Sequence, residues 1–287
     1  MRQVNTDFAG DPEYEEFLVY TENKAYATAK SYKTSYRKLR NLLGKPIRET
    51  AQETLVNAVK VAIENINSQQ ALVNIGIICR EQFEPKLPVD TLVKFRDQNK
   101  ATVQEMIKMN NQFIVLPGLG EFDAYIEFLW SSKKYKEYIV NFLIRHHYVR
   151  NKDLLFDIVD KKSEIDETGN WMWIDRRNQR CVYYRNDYKT ANTYGPKTNV
   201  IDNERFLKAA KMCHKNMSDF PITDSEDKIG YHIQKMSYLK LGEGALLKII
   251  INHYKSDISR LKEISSSRGT DLGVLLTSYN ITYTDAM

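Results

Sequence analysis

Residues 170–201 read NWMWIDRRNQRCVYYRNDYKTANTYGPKTNVI, and this stretch decides the class of the fold. Residues 171–174 and 181–184 are rich in residues that favour strands, and the polar run Arg-Arg-Asn-Gln between them is typical of a turn. A Gly-Pro pair then breaks the pattern before a third short strand, which we expect at 197–201. The stretch therefore predicts a small antiparallel meander.

Helical patterns surround the meander on both sides. Thr50 followed by Glu53 matches a capping box and predicts a helix over 50–66, and Ser68 is expected to cap the next helix. Further helices are expected at 90–109, 121–130, 133–148 and from 202 onward. We therefore expect a chain that is mainly α with a small antiparallel β-meander.

Length and composition indicate an ordinary globular protein. The 287 residues are enough for two domains, and 42% hydrophobic with 28% charged residues excludes a disordered chain. An interdomain connection is expected at 113–120, between a helical domain over about 1–110 and a second domain over about 115–287. The net charge of +5 permits a polyanionic partner without demanding one, so the positions of the charges must decide.

The three cysteines form no motif for zinc or redox chemistry. They lie far apart in the chain, at Cys79, Cys181 and Cys213. Reduced thiols are typical of a cytoplasmic or nuclear protein. The acidic N-terminus lacks the apolar stretch of a signal peptide, and no apolar run approaches the roughly 20 residues that span a bilayer.

A basic segment near the N-terminus is the first candidate for binding nucleic acid. Residues 24–48 contain eight Lys and Arg residues and no Asp or Glu. On a helix, one face would hold Tyr32, Tyr36 and Leu39, with Lys33, Arg37 and Arg40 beside it. A solvated amphipathic helix is the alternative interpretation, but the lack of acids favours cations that face phosphates, with binding that weakens as salt is added.

A second group of residues has the order needed to cut DNA through a tyrosine. That reaction requires cations on the non-bridging phosphate oxygens, a proton for the departing 5′ oxygen and a phenolate nucleophile. Tyr148-Val-Arg150-Asn-Lys-Asp153-Leu follows an apolar helix and resembles the first arginine motif of tyrosine recombinases. The resemblance implies that Arg150 clamps the scissile phosphate and that Asp153 supports the fold; an ordinary surface arginine is the alternative.

The meander coincides with the β-hairpin of the same family. In that family a lysine between strands protonates the leaving oxygen, and Lys189, between the second and third expected strands, matches that position. Lys197 is the second candidate for this role. A solvated turn lysine is the alternative for each of them.

The family's His-x-x-Arg motif is altered in this chain. The matching stretch reads Leu241-Gly-Glu-Gly-Ala-Leu-Leu-Lys248, so that Ala245 stands in the place of the histidine and Lys248 in that of the arginine. A lysine neutralises a phosphate only as a point charge, without the bidentate grip of a guanidinium. His253, farther along the same helix, is a candidate substitute for the imidazole.

The closing segment resembles the turn and helix that carry the nucleophile in tyrosine recombinases. Arg268 or Thr270 matches the His or Trp of that turn, and Tyr279 matches the nucleophile. Among 18 tyrosines, Tyr279 stands out by its spacing from Lys248 and its nearness to the C-terminus.

By resemblance, a helical core-binding domain and a tyrosine-recombinase-like catalytic domain would close around duplex DNA as a C-shaped clamp. The chemistry implied is strand cleavage and rejoining through a 3′-phosphotyrosine, as in site-specific recombination or integration. Catalysis would require no metal and no cofactor. The implied partners are duplex DNA and further copies of the chain, as a dimer or tetramer on DNA, with no membrane; an AT-rich viral or mobile source would suit the residue usage.

Two alternatives stay open. The altered His-x-x-Arg motif would also suit a catalytically weakened or inactive recombinase homologue that only binds DNA. A type IB topoisomerase would relax supercoils as a monomer, and only eight residues follow Tyr279 for the C-terminal exchange that recombinase subunits often use.

Overall fold

The computed structural model describes residues 8–113, 116–216 and 219–279. Within these ranges, it describes only the backbone of residues 107–113 and 277–279. The chain divides into two compact units, Met1–Phe113 and Ile114–Met287. The described residues are mainly helical with one four-stranded sheet, which confirms the predicted fold class.

The first unit consists of helices, with its own apolar core. The helices are α1 (Pro12–Glu22), α2 (Tyr26–Leu43), α3 (Gln52–Ala62), α4 (Ile66–Glu81) and α5 (Asp90–Phe113). Within the predicted basic segment, α2 buries Tyr36 and Leu39 completely, as their spacing requires. Gly44 ends the helix with a φ of 67°, a left-handed conformation that favours glycine.

The predicted starts of α3 and α4 are wrong. Helix α3 begins at Gln52, and the hydroxyl of Thr50 donates to the carbonyl of Pro46 at 3.0 Å instead of capping the helix. Helix α4 is capped by Asn65, whose side chain accepts from the amide of Ser68 at 2.9 Å. Several polar residues near a helix start can accept an amide, and the path of the preceding loop decides which one does.

A buried carboxylate holds the first unit together. Glu13 of α1 accepts from the amides of Ile47 and Arg48, both at 2.8 Å, and from the hydroxyl of Tyr36 at 3.1 Å. Arg40 lies 3.5 Å from the same carboxylate. One acidic side chain therefore joins α1, α2 and the connection from α2 to α3.

The second unit contains the mixed sheet. Its strands are β1 (Phe156–Val159), β2 (Asn170–Asp175), β3 (Arg180–Arg185) and β4 (Lys197–Ile201). The last three form the predicted antiparallel meander, with Trp173 opposite Val182 and Val182 opposite Val200. Strand β1 is an addition that pairs parallel with β2 and is too short for its sequence to have a clear period.

Helices surround the sheet in the second unit. They are α6 (Leu119–Ser131), α7 (Tyr135–His147), α8 (Ala191–Tyr194), α9 (Glu204–Lys215), α10 (Glu226–Met236), α11 (Glu243–His253), α12 (Ile258–Arg268) and α13 (Leu272–Tyr279). Helix α7 is almost wholly buried, and its apolar side chains share one core with α9, α11 and the inner face of the sheet. No helix among the described residues combines the length and apolarity needed to cross a membrane.

We predict that Glu13→Ala lowers the free energy of unfolding by about 3 kcal/mol, because buried donors lose a charged acceptor. Glu22→Ala, at the exposed end of the same helix, should change it by less than about 0.5 kcal/mol. Urea unfolding of both variants measures the difference. Equal effects of the two substitutions would contradict the role given to Glu13.

Candidate active site

Arg150 lies where α7 gives way to a short 3₁₀ turn, Lys152–Leu154. Tyr148 ends α7 with a φ of 53°, which redirects the chain toward the sheet. The amide of Arg150 donates to the carboxylate of Asp153 at 3.1 Å. Its guanidinium donates to the hydroxyl of Thr190 at 3.3 Å, and this contact ties the first arginine motif to the connection between β3 and β4.

Thr190 also joins Arg150 to the turn that precedes α13. The Thr190 hydroxyl donates to the carbonyl of Gly269 at 2.8 Å. Gly269 ends α12 with a φ of 56°, and a Cβ atom there would lie 2.7 Å from the Thr190 oxygen. Glycine is therefore required here by both its conformation and its close approach to Thr190.

Arg268 has its charge balanced inside the protein. It is the last residue of α12, it is buried, and it lies 2.7 Å from the carboxylate of Glu243. The same guanidinium donates to the carbonyls of Tyr148 and Val149, at 3.0 and 3.4 Å. Arg268 therefore braces the segment that leads into Arg150.

Arg185 belongs to the same group of linked residues as Arg150, Thr190 and Arg268. The sequence pattern did not lead us to predict it as a site residue. It is the last residue of β3, and it pairs at 3.2 Å with Asp153; each side chain is only 1% exposed. Its guanidinium also lies 3.4 Å from the hydroxyl of Ser267. The alternation of β3 contains a signal, because Arg185 shares a face with Cys181 and Tyr183, both fully buried.

Lys197, at the start of β4, extends the group. Its ammonium donates to the carbonyls of Ser266 and Ser267 at the end of α12, the latter at 3.2 Å. Burial, together with the nearby guanidinium groups of Arg185 and Arg150, lowers the pKa of Lys197 to about 8. An amine with such a pKa gives up its proton far more readily than an ordinary lysine.

A cleft of about 470 Å³ opens beside this group. Arg185 and Lys197 line it, together with His147 at the end of α7 and the last turn of α12. The lining is polar and also includes the carboxylate of Glu263. No cluster of His, Cys, Asp or Glu side chains among the described residues is arranged to hold a metal ion.

The remaining predicted residues lie on other elements and connections of the second unit. Lys189 is exposed, one residue before Thr190, and Lys248 is half-buried on α11. His253 is the last residue of α11. Tyr279 is the last residue of α13, and its side chain lies outside the described residues.

Ala245 and Thr270 stand where the resemblance implies a histidine and a His or Trp, and both contribute backbone groups to hydrogen bonds. Ala245 is in the first turn of α11, where its amide donates to the carbonyl of Gly242 at 3.0 Å. Thr270 lies between α12 and α13, and its carbonyl accepts from the hydroxyl of Ser265 at 2.6 Å. Neither residue supplies the imidazole or indole that the resemblance implies.

In the first unit the basic face of α2 is smaller than predicted. Arg40 is buried and forms ion pairs with Asp11 and Glu13, so it does not present its charge to a phosphate. The acids come from α1, outside the segment that lacks them. Arg37 is exposed and donates to the hydroxyl of Tyr14 at 2.8 Å, and Lys33 is half-exposed.

Comparisons with known proteins include a structural likeness to a solved recombinase. No family model matches the chain, and no curated protein matches it. The chain is similar to the crystal structure of XerA recombinase, with a TM-score of 0.34 and 13% sequence identity. That likeness covers 96% of this chain and 94% of the other.

We predict that Asp153→Ala destabilises the second unit by about 3–5 kcal/mol, because Arg185 would stay buried without a counter-charge. Asp187→Ala is a matched control, since the Asp187 side chain is 54% exposed and forms a 2.7 Å ion pair with Lys152. That loss should be below about 1 kcal/mol. Thermal unfolding followed by circular dichroism compares them, and similar midpoints would show that the Asp153–Arg185 pair is dispensable.

Proposed function

We propose that this protein cleaves and rejoins DNA strands through Tyr279, with Arg150 and Lys197 acting on the same phosphate. One observation supports this above all: the Arg150 guanidinium is hydrogen-bonded through Thr190 to the turn from which α13 starts. The resemblance of the sequence to tyrosine recombinases gives the reaction type.

In this proposal the cations have two kinds of role. Arg150 contacts a non-bridging oxygen and offsets the charge that repels the nucleophile. Arg185 and Arg268, whose charges are balanced by Asp153 and Glu243, are positioning residues. The distinction rests on burial, since Arg150 is half-exposed and the other two guanidinium groups are buried.

Lys197, rather than Lys189, is the proposed proton donor to the leaving 5′ oxygen. The Tyr279 phenol loses its proton to solvent water, and its oxygen forms a bond to phosphorus. The bond from phosphorus to the 5′ oxygen breaks, and Lys197 gives that oxygen a proton. The product is a 3′-phosphotyrosine and a 5′ hydroxyl, and attack by a 5′ hydroxyl reverses the step. The lowered pKa of Lys197 and its nearness to Arg150 support this choice. Lys189 and Lys248 are proposed as contacts to flanking phosphates.

The first unit is proposed to bind the duplex through the exposed part of α2. Arg37 and Lys33 would contact phosphates, whereas Arg40 serves the interior of the unit. Such contacts release counterions, so affinity should fall steeply between about 50 and 200 mM salt.

A DNA-binding protein without catalytic activity is the second candidate. It is favoured by the pairing of Arg268 with Glu243 and by an alanine at position 245, where the family has histidine. It predicts salt-sensitive binding with no covalent product.

We predict that Tyr279→Phe abolishes covalent adducts with a nicked suicide duplex, because the phenyl ring has no nucleophilic oxygen. Tyr283→Phe is the control, since it removes the other tyrosine near the C-terminus. Denaturing gels and peptide mapping of the adduct read the result. An adduct that survives Tyr279→Phe refutes the proposed nucleophile, and no adduct from the unaltered protein favours the non-catalytic candidate.

We predict that Lys197→Met slows cleavage of ordinary DNA but not of DNA with sulfur in place of the 5′ bridging oxygen. A thiolate leaves without protonation, because thiols, with a pKa of about 8.5 for Cys, are far more acidic than alcohols. Lys189→Met is the matched control and should behave alike on both substrates. If the sulfur substrate rescues Lys189→Met instead, the proton donor is Lys189.

The pH dependence should follow from the same assignment. A free phenol has a pKa of about 10, so its nucleophilicity rises with pH, whereas Lys197 loses its proton above about pH 8. Cleavage of ordinary DNA should therefore level off above about pH 8, while cleavage of the sulfur-substituted DNA keeps rising. Initial rates between pH 6 and pH 10 measure this, and identical profiles for the two substrates would exclude Lys197 as the acid.

A further inference from the structure

The Thr190 hydroxyl makes hydrogen bonds to two different parts of the candidate site. Its hydroxyl accepts from the Arg150 guanidinium and donates to the Gly269 carbonyl, at 3.3 and 2.8 Å. One hydroxyl has one proton to give and lone pairs to accept, so both bonds form at once. The first orients a cation and the second orients a turn of the backbone.

The surroundings of Thr190 fix it in this position. Short helix α8 begins directly after it, and the amide of Thr193 donates back to the Thr190 carbonyl at 3.0 Å. The Tyr188 hydroxyl closes the same segment by donating to the carbonyl of Gly195 at 2.7 Å. A Cβ on Gly269 would approach both Tyr188 and Tyr194, at 3.1 and 3.2 Å, as well as Thr190. The segment and the turn are therefore closely packed.

The turn held by Thr190 leads directly into the last described helix. Gly269 is followed, after two residues, by α13, which has eight residues and ends at Tyr279. At 1.5 Å per residue, the backbone of Tyr279 lies about 10 Å along the helix from its start. A change in the direction of the turn is thus carried to the end of α13.

We propose that Thr190 is a positioning residue that sets Arg150 and the helix of Tyr279 in register with each other. The proposal rests on the function proposed above. The hydrogen bond between Arg150 and Thr190 would orient the cation that offsets the phosphate charge. The hydrogen bond between Thr190 and Gly269 would orient the approach of the nucleophile. A single hydroxyl then coordinates two parts of the reaction that come from distant stretches of the sequence.

The test compares Thr190→Val with Thr190→Ser and with Thr193→Val. Valine keeps the shape of threonine without its hydroxyl, serine keeps the hydroxyl, and Thr193 is an exposed neighbour on α8. Adduct formation should slow by about 10- to 100-fold in Thr190→Val, the factor that corresponds to losing a hydrogen bond to a charged group. Thr190→Ser and Thr193→Val should stay within about threefold of the unaltered protein.

A neutral substrate separates positioning from a general loss of structure. With a methylphosphonate at the scissile position, the phosphate no longer carries the charge that Arg150 offsets, so the defect of Thr190→Val should shrink. In an Arg150→Ala background, Thr190→Val should cause less than its usual loss, because the two residues act on one interaction. A structural defect alone would slow both substrates equally and would add to that of Arg150→Ala.

The outcomes distinguish this inference from the function on which it rests. If the unaltered protein forms adducts but Thr190→Val matches Thr193→Val, the role of Thr190 is overturned and the function stands. If Thr190→Val is slow but additive with Arg150→Ala on both substrates, coupling through Arg150 is overturned. If the unaltered protein forms no adduct on any substrate, both proposals fail together.

Discussion

The buried ion pair between Asp153 and Arg185 is the interaction on which the candidate site depends. Both side chains are excluded from water, and charges in such a place are tolerated only when they are paired and hydrogen-bonded. Asp153 meets this condition with a second bond, from the amide of Arg150, and its own carbonyl accepts from the hydroxyl of Tyr183. The pair therefore fixes the end of α7, the 3₁₀ turn and the sheet in one arrangement, with Arg150 at their junction.

The same arrangement determines how charge is distributed. Arg268 is balanced by Glu243 in the way that Arg185 is balanced by Asp153, and each guanidinium also donates to another oxygen atom of the protein. Burial, together with the guanidinium groups of Arg185 and Arg150, lowers the pKa of Lys197. A phosphate brought into this region would relieve the repulsion among the cations, which is the physical reason for expecting an anion there.

Sequence periodicity was sufficient for the helical character of the chain and for its three antiparallel strands, but not for every element boundary. The three antiparallel strands follow from alternation and turn residues, and α2 follows from its buried aromatic spacing. Helix starts did not follow, because Asn65 and Ser68 are both suitable caps and only the loop path distinguishes them. Strand β1 was missed because four residues carry too little pattern.

The candidate site residues could likewise be predicted only in part from the sequence. The order of Arg150, Lys189, Lys248 and Arg268 along the chain draws attention to them, with Lys197 as second choice for Lys189, but only tertiary structure reveals which cations are neutralised. Arg40 illustrates this, since the acids that pair with it lie on another helix. Arg185 illustrates the converse: its buried face was readable from the alternation of β3, whereas its partner Asp153 lies in a distant turn.

In the proposed reaction, one phosphate is held by residues from separate parts of the second unit. A crystal structure of the protein with a duplex that carries a non-cleavable scissile linkage tests it most directly. We expect one phosphate with its oxygens within about 3 Å of both the Arg150 guanidinium and the Lys197 ammonium, and the Tyr279 oxygen in line with the bond that breaks. A complex in which DNA contacts α2 while this phosphate position stays empty, or in which Arg150 and Lys197 contact different strands, would contradict it.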